Sequence, residues 1–86
     1  MRFNEYKKYV NNFEKKADFD KTKVPELLEM LQEEINTLKK GKDDKNISDH
    51  QLMDITVLIL MLANRYDTDL DSEWKKHWVK SKKYLK

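Results

Sequence analysis

Leu52-Met53-Asp54-Ile55-Thr56-Val57-Leu58-Ile59-Leu60-Met61-Leu62-Ala63 is the stretch whose reading decides the fold. Ten of its twelve residues are apolar, in a chain in which 40% of all residues are charged. A helix that is apolar on every side belongs inside a core or an oligomer interface. The run falls short of the roughly 20 residues that a bilayer span needs, so it predicts a buried helix and no membrane partner. Asp54, its one ionisable residue, shares a stripe with Leu58 and Met61 by i, i+4, i+7 spacing. A carboxylate facing a packed interior is costly unless it is neutral, paired or bound to a metal, which makes Asp54 the leading functional candidate.

Outward from this helix, the rest of the chain reads as helical. The 86 residues include one glycine, one proline and no cysteine, which favours an all-α single domain without disulfides or thiolate metal sites. Phe3, Tyr6, Tyr9, Val10, Phe13 and Ala17 recur at helical spacing and predict a first helix near 3–17. Pro25 suits the first turn of a second helix near 24–40. Its stripe is Val24, Leu27, Leu28, Leu31, Ile35 and Leu38, and it stops at Gly41. After a polar loop, Ser48 with Gln51 reads as a capping box opening the central helix, near 49–65. Asp69 or Asp71 caps a fourth helix near 71–84 with Leu70, Trp74, Trp78 and Leu85 on one side. Four helices with short links imply a four-helix, bundle-like domain. So short a chain buries only about 60–65% of its unfolded surface, so a second copy covering the central helix is expected: a homodimer or higher homo-oligomer. The charged, aromatic N-terminus has no signal-peptide pattern, and a cytoplasmic location follows as the default.

Charge is segregated along the chain, with net charges of +3 over residues 1–16, −6 over 17–72 and +5 over 73–86. An acidic middle suits cations, and a basic end suits phosphates or nucleic acid. Trp74, Trp78 and Tyr84 among lysines could stack on bases, although their helical spacing fits core packing as well. With two histidines and no cysteine, a zinc site is not expected. One glycine cannot supply a glycine-rich phosphate loop.

On the second helix, at about 100° per residue, Glu34 lies closer to the apolar stripe than Glu33, which turns outward. If the second and central helices pack antiparallel, Glu34 and Asp54 meet near the loop that joins them. Two ionised carboxylates in contact repel, and a Mg²⁺ or Mn²⁺ between them would relieve the penalty. Glu33-Glu34 with Leu38, then Leu52, Asp54-Ile55 and Val57-Leu58-Ile59, together resemble the all-α nucleotide pyrophosphohydrolases of the MazG-like family. Leu62-Ala63-Asn64-Arg65-Tyr66-Asp67-Thr68-Asp69-Leu70 is similar to that family's exit from its central helix. The family pattern is E-E-x-x-E followed, after a spacer, by E-x-x-D. Its third glutamate falls on Thr37 and its fourth on Gln51, both neutral oxygen donors.

The resemblance implies a Mg²⁺- or Mn²⁺-dependent cleavage of a nucleoside triphosphate between its α and β phosphates. Glu33, Glu34, Asp54, Gln51 and Thr37 would hold the metal, with Glu34 and Asp54 catalytic. Lys80, Lys83 and His77 would meet the substrate phosphates. The competing reading keeps the helical scaffold with a depleted site that binds a protein or, through the basic C-terminal helix, nucleic acid.

Overall fold

The computed structural model describes residues 2–82, with side chains through Val79. Four helices follow one another: α1 (Phe3–Lys16), α2 (Val24–Lys40), α3 (Lys45–Arg65) and α4 (Leu70–Lys82). No strand occurs among the described residues. No helix there is long and apolar enough to cross a membrane.

An antiparallel hairpin of α2 and α3 forms the centre. Leu27 on α2, fully buried, packs against Leu58 and Met61 on α3, and Val10, Leu31, Val57 and Leu62 close around them. Pro25 sits in the first turn of α2 as its fixed φ dictates. Gly41 ends α2, but not through a left-handed backbone, since its φ is −102°. The reason is proximity: a Cβ at Gly41 would lie 2.3 Å from Ile47 Cγ2 and 3.0 Å from Ile47 Cβ. Glycine is therefore what lets the first turn of α3 fold back on the end of α2. Gly41→Ala is expected to cost about 1–3 kcal/mol, the usual penalty of overpacking. A urea melt measures it, and adding Ile47→Ala should recover most of the loss.

The central helix begins earlier than its sequence suggests. Asp44, not Ser48, caps it, its carboxylate accepting from the amides of Asn46 (3.0 Å) and Ile47 (3.2 Å). Ser48 is already inside the helix and donates to the Lys45 carbonyl at 3.1 Å. Gln51 is thereby released from any capping box and lies buried two turns in. Nor is α3 covered all round. Leu58, Leu60, Met61 and Ala63 are buried, whereas Leu52 is 54% exposed and Met53 and Ile59 also face outward. Three neighbouring helices are too few to enclose a helix apolar on every side. The Cα radius of gyration, 14.9 Å, exceeds the roughly 12 Å of a fully compact chain of this length.

Helix α1 turns inward only part of the stripe its aromatic spacing predicts. Tyr6, Tyr9 and Phe13 are exposed, while Phe3, Val10 and Glu14 turn toward the other helices. An exchange of caps ties its first turn to α4. Asp71 accepts from the amides of Phe3 (2.9 Å) and Asn4 (3.3 Å), closing the N-terminus of α1. In return, Asn4 Oδ1 accepts from the Leu70 amide at 3.1 Å. Asp69 caps α4 itself, accepting from Ser72 N at 2.9 Å and from Asn4 Nδ2 at 2.8 Å. The Asn4 hydrogen bond, with the Ser72 amide after it, holds the Asp69 carboxyl below its usual range. An acid with a lowered folded pKa contributes stability above its unfolded value, near 3.8, and loses it as the pH falls through the folded value. Asp69→Ala should therefore lower the urea midpoint at pH 7, and its gap from the parent chain should narrow below about pH 3.8. A gap independent of pH would remove the charge from this account.

Candidate functional site

The α2–α3 hairpin and the α1–α2 loop enclose a cleft of about 400 Å³. Phe13, Phe19, Leu27, Met30, Val57, Leu58 and Met61 form its apolar floor and walls, and Thr22, Glu26, Glu34 and Asp54 supply its polar atoms. Among the described residues, no lysine, arginine or histidine lines it. The volume lies within the range of small-molecule sites, which are typically mostly apolar with a few placed polar groups.

Glu34 and Asp54 reach this cleft from facing helices, as the antiparallel arrangement requires. Gln51, buried one turn before Asp54, donates its Nε2 to Glu34 Oε2 at 2.6 Å and toward the Glu34 carbonyl at 3.4 Å. The Glu34 carboxylate is thus held by one oxygen. Asp54 is not sealed in the core: its side chain is 39% exposed at the cleft, and Oδ2 lies 3.0 Å from Nε2 of His50, itself 74% exposed. The helical stripe shared with Leu58 and Met61 is real, but while those two pack against Leu27, its Asp54 end opens onto the cleft.

The remaining sequence candidates are placed elsewhere. Glu33 is exposed, and Thr37 donates its hydroxyl to the Glu33 carbonyl at 3.0 Å, a bond within its own helix. His77 lines a second, almost wholly apolar cleft with Phe3, Thr56, Ile59, Leu60, Leu70, Glu73 and Trp74. Thr56, Ile59 and Leu60 lie on the side of α3 away from Asp54, so His77 does not meet the acidic cleft of its own chain. The side chain of Lys80, and Lys83 altogether, lie outside the described residues. Trp74 packs on Phe3 at 5.7 Å and stacks on Trp78 at 6.4 Å between ring centroids, so the tryptophans make a small cluster of their own.

The chain matches no family model, no curated protein and no solved structure. The site has to be judged on its own donors. All are hard oxygen atoms, suited to Mg²⁺ or Mn²⁺ rather than zinc. Among the described residues, no three His, Cys, Asp or Glu side chains are grouped to hold a metal. A five-ligand set drawn from Glu33, Glu34, Thr37, Gln51 and Asp54 therefore does not assemble as a cage. Two carboxylates remain, and that fits the commonest way proteins hold Mg²⁺: one or two carboxylates, several waters and the phosphates of a substrate.

Glu26 was not singled out by the sequence reading. Its spacing from Glu34 through Met30, at i, i+4 and i+8, is the signal that places all three along one wall. Phe19 and Thr22 come from a loop whose position no helical period reports.

Proposed function

We propose that this chain is a nucleoside triphosphate pyrophosphohydrolase of the MazG-like all-α kind, acting on a nucleotide that arrives as its Mg²⁺ complex. The supporting observation is that Glu34 and Asp54, from two helices, line one aromatic-walled cleft large enough for a nucleotide. The apolar end, with Phe13 and Phe19, receives the base, and the carboxylate end receives the metal-bearing triphosphate. Mg²⁺ held with the phosphates would neutralise their charge and polarise the α–β linkage. Asp54 orients a water and takes its proton, with His50 at 3.0 Å holding the carboxylate in place. Gln51 keeps Glu34 turned to the cleft. Water displaces pyrophosphate from the α phosphorus, leaving a monophosphate.

A second copy belongs to this reading. Leu52, Ile59 and Trp74 leave an apolar surface on the far side of α3 that a homodimer would cover. The basic C-terminal segment of the partner would supply phosphate contacts to the cleft. A cytoplasmic setting, with free nucleotides at hand, is what the activity requires.

Release of pyrophosphate from a panel of standard and modified nucleoside triphosphates, with Mg²⁺ or Mn²⁺, tests the proposal. Turnover of at least one nucleotide is expected, and none with either ion rejects it. One observation favours a second reading: Glu34 and Asp54 already have protein partners, and among the described residues no three acidic or histidine side chains are grouped to hold a metal. On that reading the scaffold is a depleted relative that binds a protein or nucleic acid. Nucleic-acid binding through the basic α4 would weaken steeply with salt.

A further inference from the structure

The α1–α2 loop, residues 17–23, carries Phe19 and Thr22 into the cleft wall, and it contains no regular structure that would fix it there. Its attachment comes from the far end of α3. Arg65 donates Nε to the Thr22 carbonyl at 2.9 Å and Nη2 to the Phe19 carbonyl at 3.0 Å. The same Nη2 lies 2.6 Å from Oε2 of Glu14, whose side chain is 0% exposed while that of Arg65 is 16% exposed. Neither carboxylate oxygen of Glu14 has a hydrogen-bond partner among the described residues, so its hold on Arg65 is that of a close ion pair.

A buried ion pair is poor value as a source of stability, because removing both charges from water offsets most of their attraction. An apolar pair of the same volume would hold α1 against α3 equally well. It would not reach two loop carbonyls at once. That needs the planar, multi-donor guanidinium, and Glu14 fixes the orientation of the group from behind. The loop it secures is otherwise under conformational load: Asp18 has φ 62°, a left-handed backbone that non-glycine residues rarely adopt. Phe19 N closes the end of α1 on the Glu14 carbonyl at 2.8 Å, so the anchor and the wall share one residue.

We infer that Arg65, pinned by buried Glu14, is a positioning residue that sets the Phe19–Thr22 wall of the cleft and so governs how tightly the cleft holds its ligand. This rests on reading the cleft as the substrate site. Arg65 does not line the cleft itself, and it acts through the two carbonyls it holds.

Arg65→Lys keeps the positive charge beside Glu14 but loses the fork, and Glu14→Gln keeps the shape but loses the pinning charge. Amide hydrogen exchange compares residues 17–23 with α2 and α3 in both variants, either of which suffices should the other fail to fold. Loop amides in Arg65→Lys are expected to exchange at least about tenfold faster, with the α2–α3 core unchanged. In nucleotide hydrolysis, KM should rise about tenfold while kcat stays within about twofold. Loop exchange equal to the parent chain, or a loosened loop with unaltered KM, overturns the inference. If the parent chain hydrolyses no nucleotide, the enzymatic reading falls, and the exchange comparison still decides whether Arg65 holds the wall.

Discussion

Asp54→Asn is expected to reduce nucleotide turnover by about 100- to 10,000-fold while leaving the melting temperature almost unchanged. The first figure is the range that a positioned general base contributes. The second follows from exposure. Asp54 and His50 form an i, i+4 pair whose side chains are 39% and 74% exposed, and such helix-surface pairs are worth only about 0.3–0.5 kcal/mol. For a domain of this size that amounts to a shift of roughly 1–4 °C. Asparagine keeps the volume, so the helix and the cleft stay as they are. Only the charge and the capacity to take a proton are removed. Pyrophosphate release beside a circular-dichroism melt separates the two effects. An Asp54→Asn chain that turns over at the parent rate would take Asp54 out of the chemistry and leave the cleft as a binding surface. A variant that lost activity only because it unfolded would contradict the partial exposure seen here.

The sequence and the fold agree wherever a single helix carries its own instructions. In α2, Pro25 at the start, the stripe through Leu27 and Leu31 and Gly41 at the end are all local features, and the helix runs from Val24 to Lys40 as they require. The difference between Glu33 and Glu34 was legible for the same reason: 100° of rotation separates an exposed side chain from one that lines the cleft. Disagreement begins where another element decides. Of the α1 stripe, Phe3 and Val10 turn inward while Tyr6, Tyr9 and Phe13 are exposed, and Asp71 and Asp69, more than 60 residues away, capture the helix's first turn. Nothing near Glu14 in the sequence announces that it is buried, because its partner is Arg65.

Helix ends show the same limit. α1 and α3 both close through an aspartate with positive φ, Asp18 at 62° and Asp67 at 53°. Phe19 N and Thr68 N bond back to Glu14 O and Ala63 O across those turns. Such turns usually announce themselves with glycine, and the chain has only one glycine to spend. In the site, the α2–α3 half could be read from helical geometry, whereas the loop half could not. A carboxylate on a stripe says which way it points, but not whether packed side chains or a cavity lies there.

Gln51 offers the sharpest test of why the acidic site is incomplete. At this position the resemblance leads one to expect glutamate, and the structure holds a buried amide donating to Glu34 Oε2 at 2.6 Å. In Gln51→Glu that donor becomes a second carboxylate at hydrogen-bond distance from the first. Two such groups cannot both ionise, so one acquires a raised folded pKa, as like charges in a shared site do. For an acid, a raised folded pKa favours the protonated form, so stability is unaffected below the unfolded value, about 4.3. It falls progressively as the pH rises above that value. Gln51→Glu should therefore melt well below the parent chain at pH 7 and close to it at pH 4. The same pair of charges, with Asp54 on the same cleft, would make a stronger hard-cation site than Glu34 and Asp54 alone. Millimolar Mn²⁺ or Mg²⁺ should therefore restore much of the loss in Gln51→Glu, while shifting the parent chain little unless a nucleotide is also present. A variant as stable at pH 7 as at pH 4, and indifferent to either ion, would mean that position 51 does not face Glu34 in solution. The hydrogen bond assigned to orienting Glu34 would then have to be withdrawn, and with it the account of how two carboxylates stand in for a fuller set.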